Sequence, residues 1–171
     1  MDLIIVESPS KAKTISKYLK GKYKVDASAG HIRDLPVHTL GVDIKNNFEP
    51  KYVNSEGKED IIRRLTDETK KADNVYLATD PDREGEAISW HLQTVLGLDE
   101  NKENRIEFNE VSAKAIEKAL EHPRKINYSL VDAQQARRVL DRLVGYKLST
   151  LLNHKIDDTA STGKRSLSGG R

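Results

Sequence analysis

The chain has 171 residues, 33% of them charged, a formal net charge of only +2, and no cysteine. That length suits one domain of ordinary size with a sizeable core, or one domain and the start of another. Zero cysteines exclude disulfides, thiolate catalysis and Cys-ligated zinc or iron–sulfur clusters. The longest apolar runs, such as Leu3-Ile4-Ile5-Val6, are far too short to span a bilayer, and Met1-Asp2-Leu3 lacks the basic and apolar stretches of a signal peptide. No membrane partner and a cytoplasmic location are therefore the expectations. The small net charge hides clustering, because Lys11, Lys13, Lys17, Lys20, Lys22 and Lys24 face only Asp2 and Glu7 in the first 25 residues. A basic zone beside an acidic one suits a polyanion and its metal.

In chain order, the apolar run at 2–6 predicts a strand, and 10–20 a helix with Ala12, Ile15, Tyr18 and Leu19 on one face. The stretch 21–56 holds Gly21, Gly30, Gly41, Pro36 and Pro50 around a short extended piece at Tyr23-Lys24-Val25, and reads as a strand followed by a long excursion. Regular alternation then resumes: helix 58–71 through Ile61, Ile62 and Leu65, strand 75–78, helix 84–96, strand 105–108, helix 112–121. A long amphipathic helix runs from Tyr128 to Leu152, and 156–171 is a polar, Gly/Ser-rich tail expected to be flexible or truncated. Strands alternating with helices predict an α/β fold with a mainly parallel sheet flanked by helices.

Two strand-to-helix junctions carry chemistry, since ligands of open α/β sheets gather at the carboxyl ends of strands. At the first, Ser8 suits an N-cap and Pro9 the first helical position. Lys11 and Lys13 are then expected in the first turn, where the positive end of the helix dipole disfavours cations and a bound phosphate would account for them. Glu7, ending the first strand, would face the same crevice. At the second, Asp80, Asp82 and Glu84 recur every second residue, so an extended chain would point all three to one side. Three carboxylates so close need a cation, and oxygen-only ligands suit Mg2+. The same acids would equally serve as a solvated turn, with Asp80 or Asp82 capping the helix and Glu84 and Glu86 complementing its dipole. Neither Ser55-Glu56-Gly57-Lys58 nor Thr162-Gly163-Lys164-Arg165 has the upstream glycine of a P-loop.

Four stretches carry a resemblance: IVESPSKAKT at 5–14, Gly30-His31-Ile32-Arg33-Asp34-Leu35-Pro36, DPDREGE at 80–86, and DAQQARRVLD at 132–141. Together and in this order they resemble the N-terminal part of a bacterial type IA DNA topoisomerase, from residue 2 to about 152. The resemblance implies a Rossmann-like Toprim domain over 1–125 and the start of the helical domain lining a single-strand DNA groove over 126–155. It implies that Glu7 is the acid beside the scissile phosphate and Lys11 its stabilising cation. Asp80, Asp82 and Glu84 match the Mg2+ ligands, and Arg137 and Asp141, with Arg138 beside them, match contacts to bound single-stranded DNA. Arg137 and Asp141 are four apart on a helix and share a face. His31 and Arg33, in the Gly30 loop, are further candidates.

The implied reaction is relaxation of negatively supercoiled DNA by transesterification, with a tyrosine left on the 5'-phosphate of a broken strand and resealing by the 3'-hydroxyl. The implied nucleophile lies in another domain, so none of the six tyrosines is assigned to it, and the remaining topoisomerase domains are expected partners of a monomeric chain. The stretch Leu167-Ser168-Gly169-Gly170-Arg171 resembles the opening of a later family motif. A Toprim-type nuclease or primase-like domain, using the same acids and metal on water or a hydroxyl, is the alternative.

Overall fold

The computed structural model describes residues 1–159, with side-chain surroundings through residue 155. The chain divides into two compact units, one of Met1–Asp34 and Tyr52–Gln134, the other of Leu35–Lys51 and the chain from Gln135 onward.

The first unit begins with β1 (Asp2–Val6), whose apolar run is buried on both faces. Ser8 Oγ accepts from the Lys11 N–H at 3.2 Å and caps α1 (Pro9–Leu19), with Pro9 opening the helix. That start leaves Lys11 in the first turn but moves Lys13 beyond it, so the dipole argument holds for Lys11 alone. Helix α1 buries Ala12, Ile15 and Leu19, ends on left-handed Lys20, and leads into β2 (Tyr23–Ala27), parallel to β1 with Asp2 opposite Tyr23 and Val6 opposite Ala27.

The excursion that follows is built from two-residue strands: β3 (Arg33–Asp34), β4 (Val42–Asp43), β5 (Glu49–Pro50) and β6 (Val53–Asn54). Strand β3 pairs antiparallel with β6 in the first unit, and β4 with β5 in the second. Helix α2 (Glu59–Lys71) then delivers the chain to β7 (Val75–Leu77), which lies parallel to β1 on the side away from β2. The sheet order is β2-β1-β7. Helices α3 (Arg83–Val95), α4 (Ala113–Glu121) and α5 (Tyr128–Thr159) complete the fold. Alternation along β1 sends Leu3 and Ile5 into one core, with Leu65, Leu77 and Leu92, and Ile4 and Val6 into another, with Ile15, Ile106 and Ile116. This is the expected Rossmann-like arrangement of a parallel sheet flanked by helices, followed by a long helix.

Two expectations change. The strand at 105–108 shrinks to one bridging residue, Arg105, which pairs parallel with Leu77 and antiparallel with Arg124. Strand β7 ends at Leu77, so pairing along that edge stops with the Leu77 N–H on the Asn104 carbonyl at 2.7 Å and the Ile106 N–H on the Leu77 carbonyl at 3.0 Å. The tail expected from 156 is helical through Thr159, because α5 continues past the last apolar residue of its amphipathic pattern; Leu167 to Arg171 lie outside the described residues.

In the second unit, Arg142 Nη1 on α5 donates to the carbonyls of Pro36 at 2.6 Å and Thr39 at 2.8 Å, which ties the excursion to the helix. Leu140, Val144, Leu148 and Leu151 form an exposed apolar line on α5 at helical spacing.

Candidate active site

Parallel pairing of β1 with β7 brings their carboxyl ends side by side. Glu7 stands just after β1, Asp80 three residues after β7, and the capped start of α1 places Lys11 between them. Lys11 Nζ donates to Glu7 Oε1 at 2.9 Å and to Asp80 Oδ1 at 2.6 Å, and lies 5.7 Å from the Phe108 ring centre. Glu7, Lys11 and Asp80 therefore meet as expected. Desolvation, reinforced by the neighbouring Asp80 carboxyl, pushes the Glu7 pKa above the ordinary glutamate range despite Lys11. Lys11 in turn holds Asp80 below the ordinary aspartate range, with Glu7 assisting. Burial opposes the charge on Lys11, but Asp80 and Glu7 outweigh it and raise the lysine pKa. Glu7 therefore holds a proton more readily than an isolated glutamate, beside an ammonium fixed by two carboxyl groups.

The other two acids take separate places. Asp82 is the N-cap of α3, its Oδ1 accepting from the Gly85 N–H at 2.7 Å. The chain turns helical at Arg83, so Glu84 lies on the first helical turn and the every-second-residue spacing ends at Asp82. Glu84 accepts from His31 Nε2 at 3.0 Å, with the ring in the tautomer that donates there, and from Gln134 Nε2 at 3.2 Å. Gly85 is required by close approach: a Cβ there would be driven into the Asp80 backbone.

What holds the acid loop was missed in the sequence. Arg105 is fully buried and its guanidinium donates to the carbonyls of Leu77, Thr79, Asp80 and Ile106 at 2.7 to 3.2 Å and to Glu86 at 3.1 Å. Glu86, also fully buried, takes a second guanidinium from Arg124 at 2.7 Å and the Asn127 N–H at 3.2 Å. Burial alone would raise the Glu86 pKa, but Arg124 and Arg105 overcome it and hold the group ionised. Glu86 is thus a buried anchor, unlike the dipole-complementing surface acid it resembled. The one available signal was the pair of arginines flanking the 105–124 stretch, and nothing in their spacing points back to residue 86.

His31 reaches the acids through Glu84. Arg33 instead stacks on Tyr52 and Trp90, its guanidinium 5.0 and 5.2 Å from their ring centres. His91 packs in the same aromatic group, 4.8 Å from both Tyr52 and Trp90, and is pushed down to about 3 by desolvation, then by Arg33 and His31.

A Toprim domain model matches residues 2–111. The chain belongs to the Toprim family. It is also similar to the full-length topoisomerase I of Thermotoga maritima, with 45% identity and a TM-score of 0.84 over 98% of its own length. It spans 27% of that chain. Both findings agree with membership among the Toprim-bearing bacterial type IA topoisomerases.

Toprim domains generally bind a divalent metal, and the chemistry of this donor set fits one. The acids around Lys11 offer oxygen ligands only, and Asp82 Oδ1 alone is committed to the cap. Glu7 Oε2 is buried without a partner. Among the described residues no three His, Asp or Glu side chains form a ready cage. Mg2+ is commonly held by one or two carboxylates together with waters and phosphate oxygens, so the Toprim acids suit it. On α5, in the second unit, Arg137 and Asp141 are exposed and make no ion pair with each other, and Arg138 is half-buried. No helix among the described residues is long and apolar enough to cross a membrane.

Proposed function

We propose that this chain supplies the metal, proton-donor and phosphate-holding part of a type IA DNA topoisomerase, acting on a single-stranded segment of negatively supercoiled DNA. The observation that carries the reading is Lys11 bridging Glu7 and Asp80, with the Glu7 proton affinity raised. In cleavage, a tyrosine hydroxyl gives its proton to water as its oxygen bonds to phosphorus and the bond from phosphorus to the 3'-oxygen breaks, and it regains a proton from water on resealing. Glu7 gives its proton to the 3'-oxygen and takes it back on resealing. Lys11 offsets charge on the non-bridging oxygens, and Arg105 holds the loop that aims Asp80. Bound Mg2+, held by Asp80 and Asp82 with Glu84 beside them, would supply further charge stabilisation.

Residues 1–125 are assigned to the Toprim domain and 126–155 to the beginning of the DNA-groove domain, where Arg137, Arg138 and Asp141 contact the strand. The nucleophile belongs to a domain outside this chain, which works as a monomer in the cytoplasm. The test is incubation of negatively supercoiled plasmid with Mg2+ and either the chain alone or the chain joined to tyrosine-bearing domains of a type IA enzyme. Relaxation by the joined protein, lost in Glu7→Ala, is expected, with unchanged plasmid for the chain alone. Linear or nicked product from the chain alone, with no protein attached to the DNA, would establish the metal-dependent nuclease instead.

A further inference from the structure

A groove of about 630 Å3 lies at the free edge of the sheet, between α1 and α2, beside β2. Its wall on α1 carries Lys13 and Lys17, its opposite wall Arg64, and its floor is apolar at Val25 and Ala27. The lining holds one acid, Asp26, and Arg64 already neutralises it through two bonds of 2.8 and 3.1 Å. Lys13 and Lys17 are exposed, have no acidic partner among the described residues, and stand one helical turn apart on a helix with no acid of its own. Two uncompensated positive charges thus remain in a concave surface, whereas Lys11 on the same helix is fully engaged with Glu7 and Asp80.

The groove also begins where the crevice ends. Pro9 and Ala29 line it, Pro9 follows the capping Ser8, and the Gly30 N–H donates to the Glu7 carbonyl at 2.9 Å. Its lining at Pro9 thus comes within two residues of both Glu7 and Lys11 along the chain. We propose that this groove takes the phosphodiester backbone of the DNA strand beyond the crevice, with Lys13 and Lys17 each meeting a phosphate. This rests on the DNA reading above and adds a contact surface to it. Lysine contacts of this kind carry no base preference, and they make affinity fall with salt through release of counterions.

The test uses the full chain, a fluorescein-labelled oligothymidylate and fluorescence anisotropy over a salt titration. Lys13→Gln/Lys17→Gln is expected to lower affinity on the order of tenfold at low salt and to flatten the slope of log affinity against log salt by about 1.4, the loss of two phosphate contacts on a single strand. Lys20→Gln/Lys22→Gln removes the same charge from positions outside the groove and is expected to keep the wild-type slope. Ser16→Glu, which places a carboxylate between the two lysines, should weaken binding without removing either. Equal flattening by both lysine pairs would reduce the effect to a diffuse field and overturn the proposal, as would a groove variant that binds like wild type. Loss of polyglutamate binding in the groove variant, with oligothymidylate binding intact, would assign the surface to an acidic protein. A wild-type chain that binds no oligothymidylate would overturn the DNA reading itself.

Discussion

Arg105 is the residue on which the local geometry turns. A buried charge whose partner is removed typically costs about 3–5 kcal/mol, because the survivor is left uncompensated. Arg105→Leu also takes a donor from four carbonyls, of which Leu77 keeps the Ile106 N–H, so urea unfolding should show at least that loss; a change under about 1 kcal/mol would mean that Arg124 alone satisfies Glu86. His91 gives a second residue-scale expectation. Its pKa in the fold is about 3 against an ordinary 6.5, so the unfolded chain binds the proton first as acidity rises. Stability should therefore fall as pH drops from 6.5 toward 3, by up to about 1.4 kcal/mol per pH unit from this group. His91→Gln should lose that part of the slope, and an unaltered profile would show that His91 titrates normally. Glu7, Lys11 and Asp80 were legible because a strand end followed by a capped helix is a local pattern. Glu86 was not, since its partners are Arg105 and Arg124, and burial reverses the meaning of an acid in a first helical turn.

At the scale of elements, periodicity located β1, α1, α2, α3 and α4 to within a residue or two, because each depends on its own apolar spacing. It could not locate β3 to β6, whose two-residue pairings are set by contacts between distant parts of the excursion, nor shorten the strand at 105–108, whose extent is decided by where β7 stops. The junction of β7 with α3 depends on Gly85 having no side chain. Gly85→Ala should move the acid loop or unfold the junction, costing about 1–3 kcal/mol as an overpacked backbone contact. Wild-type stability and unchanged amide shifts at Asp80 and Asp82 would contradict the close approach. By contrast, Leu140→Gln and Leu151→Gln on α5 remove side chains that are each 60% exposed, so each should shift the stability of the isolated chain by less than about 0.5 kcal/mol. A larger loss in either would show that the line is covered in solution.

For the molecule as a whole, metal binding and folding are linked. A ligand that binds only the folded state stabilises it by about 2.7 kcal/mol when present at about 100 times its dissociation constant. Mg2+ should raise the thermal midpoint of the chain, EDTA should reverse the rise, and Asp80→Asn/Asp82→Asn should abolish it. A rise that survives in the double variant would put the metal elsewhere. The same substitution is not neutral without metal, because Asp80 also holds Lys11, so each comparison is made against that variant's own metal-free midpoint.

The Arg105 cluster also bears on how such a sequence can drift. A lysine at 105 has three donors and no planar fork, too few for the carbonyls and carboxylate now served. A change at Glu86 leaves two guanidinium groups facing each other. Neither position has an obvious one-step neighbour that keeps the loop intact, so Glu86, Arg105 and the turn they hold are inherited together or rebuilt together.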